Sequence, residues 1–220
     1  MSELSLYLIE PHLSDYEPAR SILTPAECER ADRFFFDTDR REWVSCRASV
    51  RRILGSLTGV PPNRVKWMAG ESGKPYVKGS GLDFNLTHSG GLAALLVSTV
   101  GSVGIDMEPL QRGYDLLECA ASFCHPDEIN QLPLDRETRA MELIQLWTAK
   151  EALLKAHGSG LGFPPTGLII KNGRGYAQLP GLHCFRLIHP TVSRLIDYCL
   201  AAAVPPCEGT IEVVEYDHGI

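Results

Sequence analysis

The chain has no apolar run long enough to cross a bilayer, no CxxC pair, no Walker-type GxxxxGK[ST] loop and no excess of positive charge. Each absence removes a class of function. Without about 20 consecutive apolar residues there is no membrane-spanning helix. Without cysteines and histidines at zinc spacing, the seven cysteines (28, 46, 119, 124, 184, 199 and 207) are an odd set of free thiols, as expected of a cytoplasmic protein. The formal charge of −6 supplies no global field for nucleic acid or a membrane surface, so neither is expected as a partner. Met1-Ser2-Glu3-Leu4 lacks a basic start and Pro11 cuts short the apolar run behind it, so no signal peptide is expected. What remains is ordinary globular composition, 44% hydrophobic and 22% charged over 220 residues, enough for one large domain or two small lobes.

The elements follow from pattern. Ser5–Ile9 reads as a strand. Thr24-Pro25-Ala26-Glu27 opens a helix with a capping threonine, a first-turn proline and a glutamate three residues on, and Phe34-Phe35-Phe36 closes it. A longer helix runs from about Asp39 to Leu57, stopped by Gly59 and Pro61-Pro62, with Trp43, Val50, Ile53, Leu54 and Leu57 on its apolar face. Its other side carries Arg40, Arg41, Arg47, Arg51 and Arg52: a solvated face, or a grip for a phosphate or an acidic protein. Asp83–His88 and Leu92–Ser98 are strands hinged at Gly90-Gly91. Val103–Met107 is a strand crossing between the halves, followed by helices around Asp115–Ser122, from Pro126, and from about Arg136 to His157. Strands are then expected at Gly167–Lys171, Tyr176–Leu179, His183–Ile188, Asp197–Val204 and Ile211–Tyr216, with Asn172–Gly175 as a hairpin turn. Helices followed by antiparallel strands in each half predict an α+β fold of two similar lobes, residues 1–101 and 102–220.

Two segments carry the chemistry. Asp106 and Glu108 have strand spacing, so both carboxylates leave one face while Ile105 and Met107 point into the core. Such a pair is either solvated at a strand end or separated by water or a cation. On the helix ending at His157, Leu143, Leu146, Ala149, Ala152, Leu153 and Ala156 form the apolar arc. Lys150 falls inside that arc and must either snorkel or meet an anion. Glu151 and Lys155 sit together beyond its edge, a surface pair or part of a site. Three acidic side chains with lysines beside them suit a hard metal ion holding a phosphate. Lys74 in Gly73-Lys74-Pro75 reads as a solvated turn lysine, and His88 as a histidine satisfying a loop carbonyl.

Taken in order, Gly73-Lys74-Pro75, Phe84-Asn85-Leu86-Thr87-His88-Ser89, Val103-Gly104-Ile105-Asp106-Met107-Glu108 and Trp147-Thr148-Ala149-Lys150-Glu151-Ala152-Leu153-Leu154-Lys155 resemble the 4′-phosphopantetheinyl transferases, of the two-lobed type that serves carrier domains of peptide and polyketide synthases. The resemblance covers about residues 33–160. It implies transfer of 4′-phosphopantetheine from coenzyme A to a serine of an apo acyl or peptidyl carrier protein, with adenosine 3′,5′-bisphosphate released. It implies Mg²⁺ on Asp106, Glu108 and Glu151, an adenine-side loop at Gly73, Lys74 and Pro75, and phosphate contacts from Thr87, His88, Lys150 and Lys155. One of Arg40, Arg41 or Arg47 would reach the 3′-phosphate. Glu128 matches a further acidic position near the metal, and Glu151, with Glu128 in reserve, would take the serine proton. A monomer with its site between the lobes is the expected assembly. The competing expectations are another Mg²⁺-dependent phosphotransferase and an inactive carrier-binding scaffold.

Overall fold

The computed structural model describes residues 2–11, 15–70, 73–207 and 209–216. In chain order, β1 (Leu4–Ile9) is followed by α1 (Tyr16–Arg20), α2 (Pro25–Ala31) and α3 (Asp37–Thr58), then by β2 (Trp67–Ala69), β3 (Pro75–Val77), β4 (Asp83–Ser89), β5 (Leu92–Ser98) and β6 (Gly104–Pro109). Three helices follow, α4 (Gly113–Cys119), α5 (Pro126–Ile129) and α6 (Arg136–His157), and then β7 (Ile169–Lys171), β8 (Arg174–Tyr176), β9 (Arg186–Ile188), β10 (Tyr198–Val204) and β11 (Ile211–Glu215). The fold is α+β, as the pattern of elements predicts.

Alternation decides how the layers stack. Sheet one has the order β11-β1-β5-β4-β3-β2, and sheet two the order β6-β10-β9. Even-numbered residues of β1 and β5 (Leu4, Leu6, Leu8, Ala94, Leu96) pack against Val103, Ile105, Met107, Leu200, Ala202 and Val204, forming the core between the sheets. The opposite face of sheet one (Ile9, Phe84, Leu95, Val97) packs on Val50, Ile53 and Leu54 of α3. The opposite face of β10 (Ala201, Ala203) packs on Ala149, Ala152 and Leu153 of α6. The layers therefore run helix, sheet, sheet, helix.

Both long helices have readable ends. Asp135 caps α6 by accepting from the Thr138 amide at 2.9 Å, and Gly158 (φ +86°) ends it with its amide on the Leu154 carbonyl. The capping box at Thr24 and Glu27 starts α2 as expected. That helix stops at Ala31, however, and the aromatic triplet does not close it: Phe36 is the N-cap of α3, and Phe35 stands exposed. The last strand is a second departure. β11 does not join the C-terminal sheet but pairs in parallel with β1 in sheet one, so the chain's end is sewn into the N-terminal half. The hairpin near residue 172 is tighter than expected, a two-residue turn with Asn172 at φ 51° and Gly173 at φ 68°, which moves the following strand forward from Tyr176–Leu179 to Arg174–Tyr176. The strands expected at Gly167–Lys171 and His183–Ile188 keep only their last three residues.

The close approach of β6 to α6 needs a glycine. A Cβ on Gly104 would lie 2.0 Å from the Ala152 carbonyl oxygen and 2.4 Å from the Ala156 amide nitrogen, both helix backbone. Gly104→Ala must push strand and helix apart. We expect a loss of about 3 kcal/mol or more, read by calorimetry as a melting temperature lower by roughly 6–12 °C.

Candidate active site

β6 is an edge strand, with β10 on one side only. Its outer edge faces β4, whose odd-numbered polar residues step along it. Asp83 Oδ1 accepts from the Val103 amide at 3.0 Å, and Asn85 Oδ1 from the Ile105 amide at 2.9 Å. Thr87 Oγ1 donates to Asp106 Oδ1 at 3.2 Å, and the Ser89 hydroxyl donates to Glu108 Oε2 at 2.8 Å. The first two bonds satisfy backbone donors that an edge strand would otherwise leave bare. The last two place the carboxylates. The period-two run of Asp83, Asn85, Thr87 and Ser89 was visible in the sequence as a polar face on an otherwise apolar strand, yet of these only Thr87 was expected in the site.

As the strand spacing requires, Ile105 and Met107 are buried in the core between the sheets, and Asp106 and Glu108 leave the other face, toward α6. Lys155 of α6 donates to Asp106 Oδ1 at 2.6 Å and to the Ile105 carbonyl at 3.3 Å. Glu151 stands one turn before it. Burial pushes the Glu151 carboxyl above the usual carboxylate range; the Lys155 ammonium opposes this, while the Asp106 and Glu108 charges add to it. The structure therefore brings Asp106, Glu108, Glu151, Lys155 and Thr87 into one electrostatic neighbourhood at the seam of sheet one, sheet two and α6.

The donor set fits a divalent cation in kind. Asp106 Oδ2 and Glu151 Oε1 are buried side-chain oxygens with no hydrogen-bond partner among the described residues, and Asp106 as a whole is only 5% exposed. Buried carboxylate oxygens without donors are costly unless something positive meets them, and hard oxygen donors suit Mg²⁺. The expected cage of three is not assembled, however. Among the described residues no group of three His, Cys, Asp or Glu is close enough to hold an ion. Glu108 is engaged elsewhere, its Oε1 accepting from Arg112 at 3.0 Å.

Two expected site residues turn out to be internal. Lys150 is fully buried; its ammonium meets Glu128 at 2.6 Å and donates to the carbonyls of Phe123, Pro165 and Leu168 at 2.9, 3.0 and 2.7 Å. Burial draws it below the usual lysine range, against the pull of Glu128. The anion it meets is a protein carboxylate, so the expected contact with coenzyme A phosphates is corrected. Glu128 is likewise 7% exposed, and it also accepts from the amides of His125 at 2.8 Å and Ile170 at 2.9 Å. With both oxygens engaged, it sits in a structural lock and not beside Asp106 as a base or metal neighbour.

The remaining expected residues divide similarly. His88 is exposed and, by strand alternation, leaves β4 on the face opposite Thr87. Gly73 takes φ +85° before Pro75 starts β3, and Lys74 is no free turn lysine. It donates to Asp83 Oδ1 at 2.7 Å, to the Ser102 hydroxyl, and to the Ala156 carbonyl at 3.5 Å, tying the loop to β4 and to the end of α6. On α3, Arg40 and Arg41 both pair with Asp37, and Arg41 lies over the Tyr16 ring. Arg47 pairs with Glu27 and lies 3.7 Å from the Trp67 ring centroid. Arg51, expected on the solvated face, is 2% exposed, held by Glu27 at 2.7 Å and by the carbonyls of Pro62 and Val65. That removes it from any docking surface.

Residues 102–201 match the family model described as the 4′-phosphopantetheinyl transferase superfamily, and residues 9–100 match the one described as 4′-phosphopantetheinyl transferase, N-terminal. The chain belongs to the 4′-phosphopantetheinyl transferase superfamily. The 4′-phosphopantetheinyl transferase HetI of Nostoc sp. is 38% identical over 153 residues, covering 67% of this chain and 65% of that protein. A putative 4′-phosphopantetheinyl transferase of Synechocystis sp. is 32% identical over 146 residues (64% and 59%), and the L-aminoadipate-semialdehyde dehydrogenase-phosphopantetheinyl transferase of Schizosaccharomyces pombe is 25% identical over 169 (70% and 66%). The chain thus spans less than two thirds of the length of each of these three relatives. The boundary between the two matched superfamily segments falls just before β6, the strand that carries Asp106 and Glu108. No helix among the described residues is long and apolar enough to cross a membrane.

Proposed function

We propose that this protein transfers 4′-phosphopantetheine from coenzyme A to a serine of an apo acyl or peptidyl carrier protein and releases adenosine 3′,5′-bisphosphate. The observation that carries the reading is the pair of buried, unpartnered oxygens on Asp106 and Glu151 beside the Lys155 ammonium. Asp106 and Glu151, joined by Glu108, would hold Mg²⁺, which when bound neutralises diphosphate charge.

The chain's own residues then have distinct tasks. Lys155, fixed by Asp106 and the Ile105 carbonyl, presents its ammonium to the phosphate under attack, where negative charge accumulates. The serine oxygen forms its bond to the β-phosphorus as the bond from that phosphorus to the bridging oxygen breaks. The electron pair leaves with adenosine 3′,5′-bisphosphate. The serine proton goes to the Glu151 carboxylate, on the oxygen other than the Oε1 that would face the cation. Thr87 steadies Asp106 through its hydroxyl. His88, at the exposed end of β4, Arg40 or Arg41, and the loop Gly73-Lys74-Pro75 would bind the 3′-phosphate and adenine. Residues 1–101 would supply that nucleotide side and residues 102–220 the carboxylates and the catalytic helix. Both walls then lie on one chain, so we propose a monomer acting in the cytoplasm.

The test is mass spectrometry of an apo carrier protein after incubation with the protein, coenzyme A and Mg²⁺. A magnesium-dependent gain of one phosphopantetheine group supports the reading. Carrier binding without gain points to an inactive scaffold; neither gain nor binding points to a different phosphotransferase. Glu151→Gln should lower turnover by roughly 10²-fold or more, the usual range for a general base, and should weaken coenzyme A binding much less. Near-normal turnover would remove Glu151 from the proton-accepting role.

A further inference from the structure

Among the three carboxylates, Glu108 is the one whose oxygens are both occupied. Oε1 accepts from Arg112 at 3.0 Å and Oε2 from the Ser89 hydroxyl at 2.8 Å, whereas Asp106 and Glu151 each keep a buried oxygen without a donor among the described residues. The two donors come from places the fold holds firmly. Ser89 ends β4 at the turn into β5, and the Tyr198 hydroxyl pins that turn by donating to the Gly90 carbonyl at 3.0 Å. Arg112 ends the single turn Leu110–Arg112 after β6, and the Leu110 amide anchors that turn on the Asp197 carbonyl at 2.8 Å.

There is a physical reason for such a hold. Without a cation, a third carboxylate beside Asp106 and Glu151 adds like-charge repulsion in a poorly solvated seam. Ser89 and Arg112 offer Glu108 a compensated alternative, one neutral and one charge-assisted hydrogen bond. We propose that Ser89 and Arg112 are positioning residues that hold Glu108 apart from Asp106 and Glu151, so that completing the cation site requires exchange of these two hydrogen bonds. The hold lowers cation affinity in the absence of substrate, and it frees the Arg112 guanidinium for an anionic group once Glu108 turns inward. This inference rests on the proposed cation site.

Calorimetric titration of the full chain with Mg²⁺, without coenzyme A, tests it. Ser89→Ala removes the neutral bond without changing charge and should tighten Mg²⁺ binding by roughly three- to tenfold, the range set by one modest hydrogen bond. Arg112→Ala should tighten it comparably. Ser89→Thr, which keeps a hydroxyl, should bind as the parent does. Arg136→Ala removes a charge of the same sign whose guanidinium lies over the Tyr114 ring, and it should leave affinity unchanged. Thermal melts of each variant confirm that the fold is retained. Unchanged or weaker binding in Ser89→Ala overturns the inference, as does equal tightening in Arg136→Ala and Arg112→Ala. Failure of the unmodified protein to bind Mg²⁺ at all would instead overturn the cation reading on which it rests.

Discussion

Lys150→Met should destabilise the protein by about 3–5 kcal/mol, the cost of removing one partner of a buried ion pair and leaving the other charge uncompensated. The Lys150 ammonium is fully buried, and besides Glu128 it holds three carbonyls from two separate segments, Phe123 before α5 and Pro165 and Leu168 before β7. The side chain therefore staples α6 to both. For a chain of this length the loss should appear as a melting temperature lower by roughly 6–20 °C. The double variant Lys150→Met/Glu128→Leu should recover part of it, because no unpaired charge then remains. A single variant that melts with the parent would show that the ammonium is not held as described.

Lys155→Ala, five residues further along the same helix, should tell chiefly on transfer. Its side chain is about one quarter exposed and its partners are the buried Asp106 and one carbonyl, so stability should fall, by less than at Lys150, where both members of the pair are enclosed. Transfer should fall by roughly 10²–10³-fold, the range for removing one preorganised donor from a developing charge. The fall should lie in kcat more than in KM for the carrier, since the role proposed for the ammonium is at the phosphate. Lys155→Arg keeps the charge with a different donor geometry and should fall in between. A Lys155→Ala protein that transfers at the parent rate would exclude the ammonium from the reacting centre.

The contrast between these two lysines shows what the sequence can and cannot disclose. Helical periodicity placed Lys150 in the apolar arc and Lys155 beyond it, and both placements agree with the structure. Periodicity does not name a partner. Glu128 lies 22 positions away on α5, and only packing brings it to Lys150. Arg51 was misplaced for a related reason. It shares the charged side of α3 in projection, but Glu27 of α2 and the turn after α3 close over it. The same holds for β11, whose strand character was plain while its parallel pairing with β1, some 200 residues away, was not.

At the seam, the shared face of Asp106 and Glu108 was legible from strand spacing, and the adjacency of Glu151 and Lys155 from helical spacing, because those signals are local. That Glu108 points to Ser89 and Arg112 depends on side-chain rotation at the seam, which spacing does not encode. The i,i+4 relation of Glu108 to Arg112 and the polar alternation along β4 were both visible cues to that arrangement.

The proposed cation site rests on the buried oxygens that Asp106 and Glu151 keep for one divalent ion at this seam. Crystals soaked with Mn²⁺ and coenzyme A would test it through anomalous scattering. A single strong peak is expected within coordination distance of Asp106 and Glu151, with Glu108 turned toward it and the diphosphate on its open side. A fully loaded crystal whose Mn²⁺ sits on other side chains, leaving those two carboxylates bare, would contradict it.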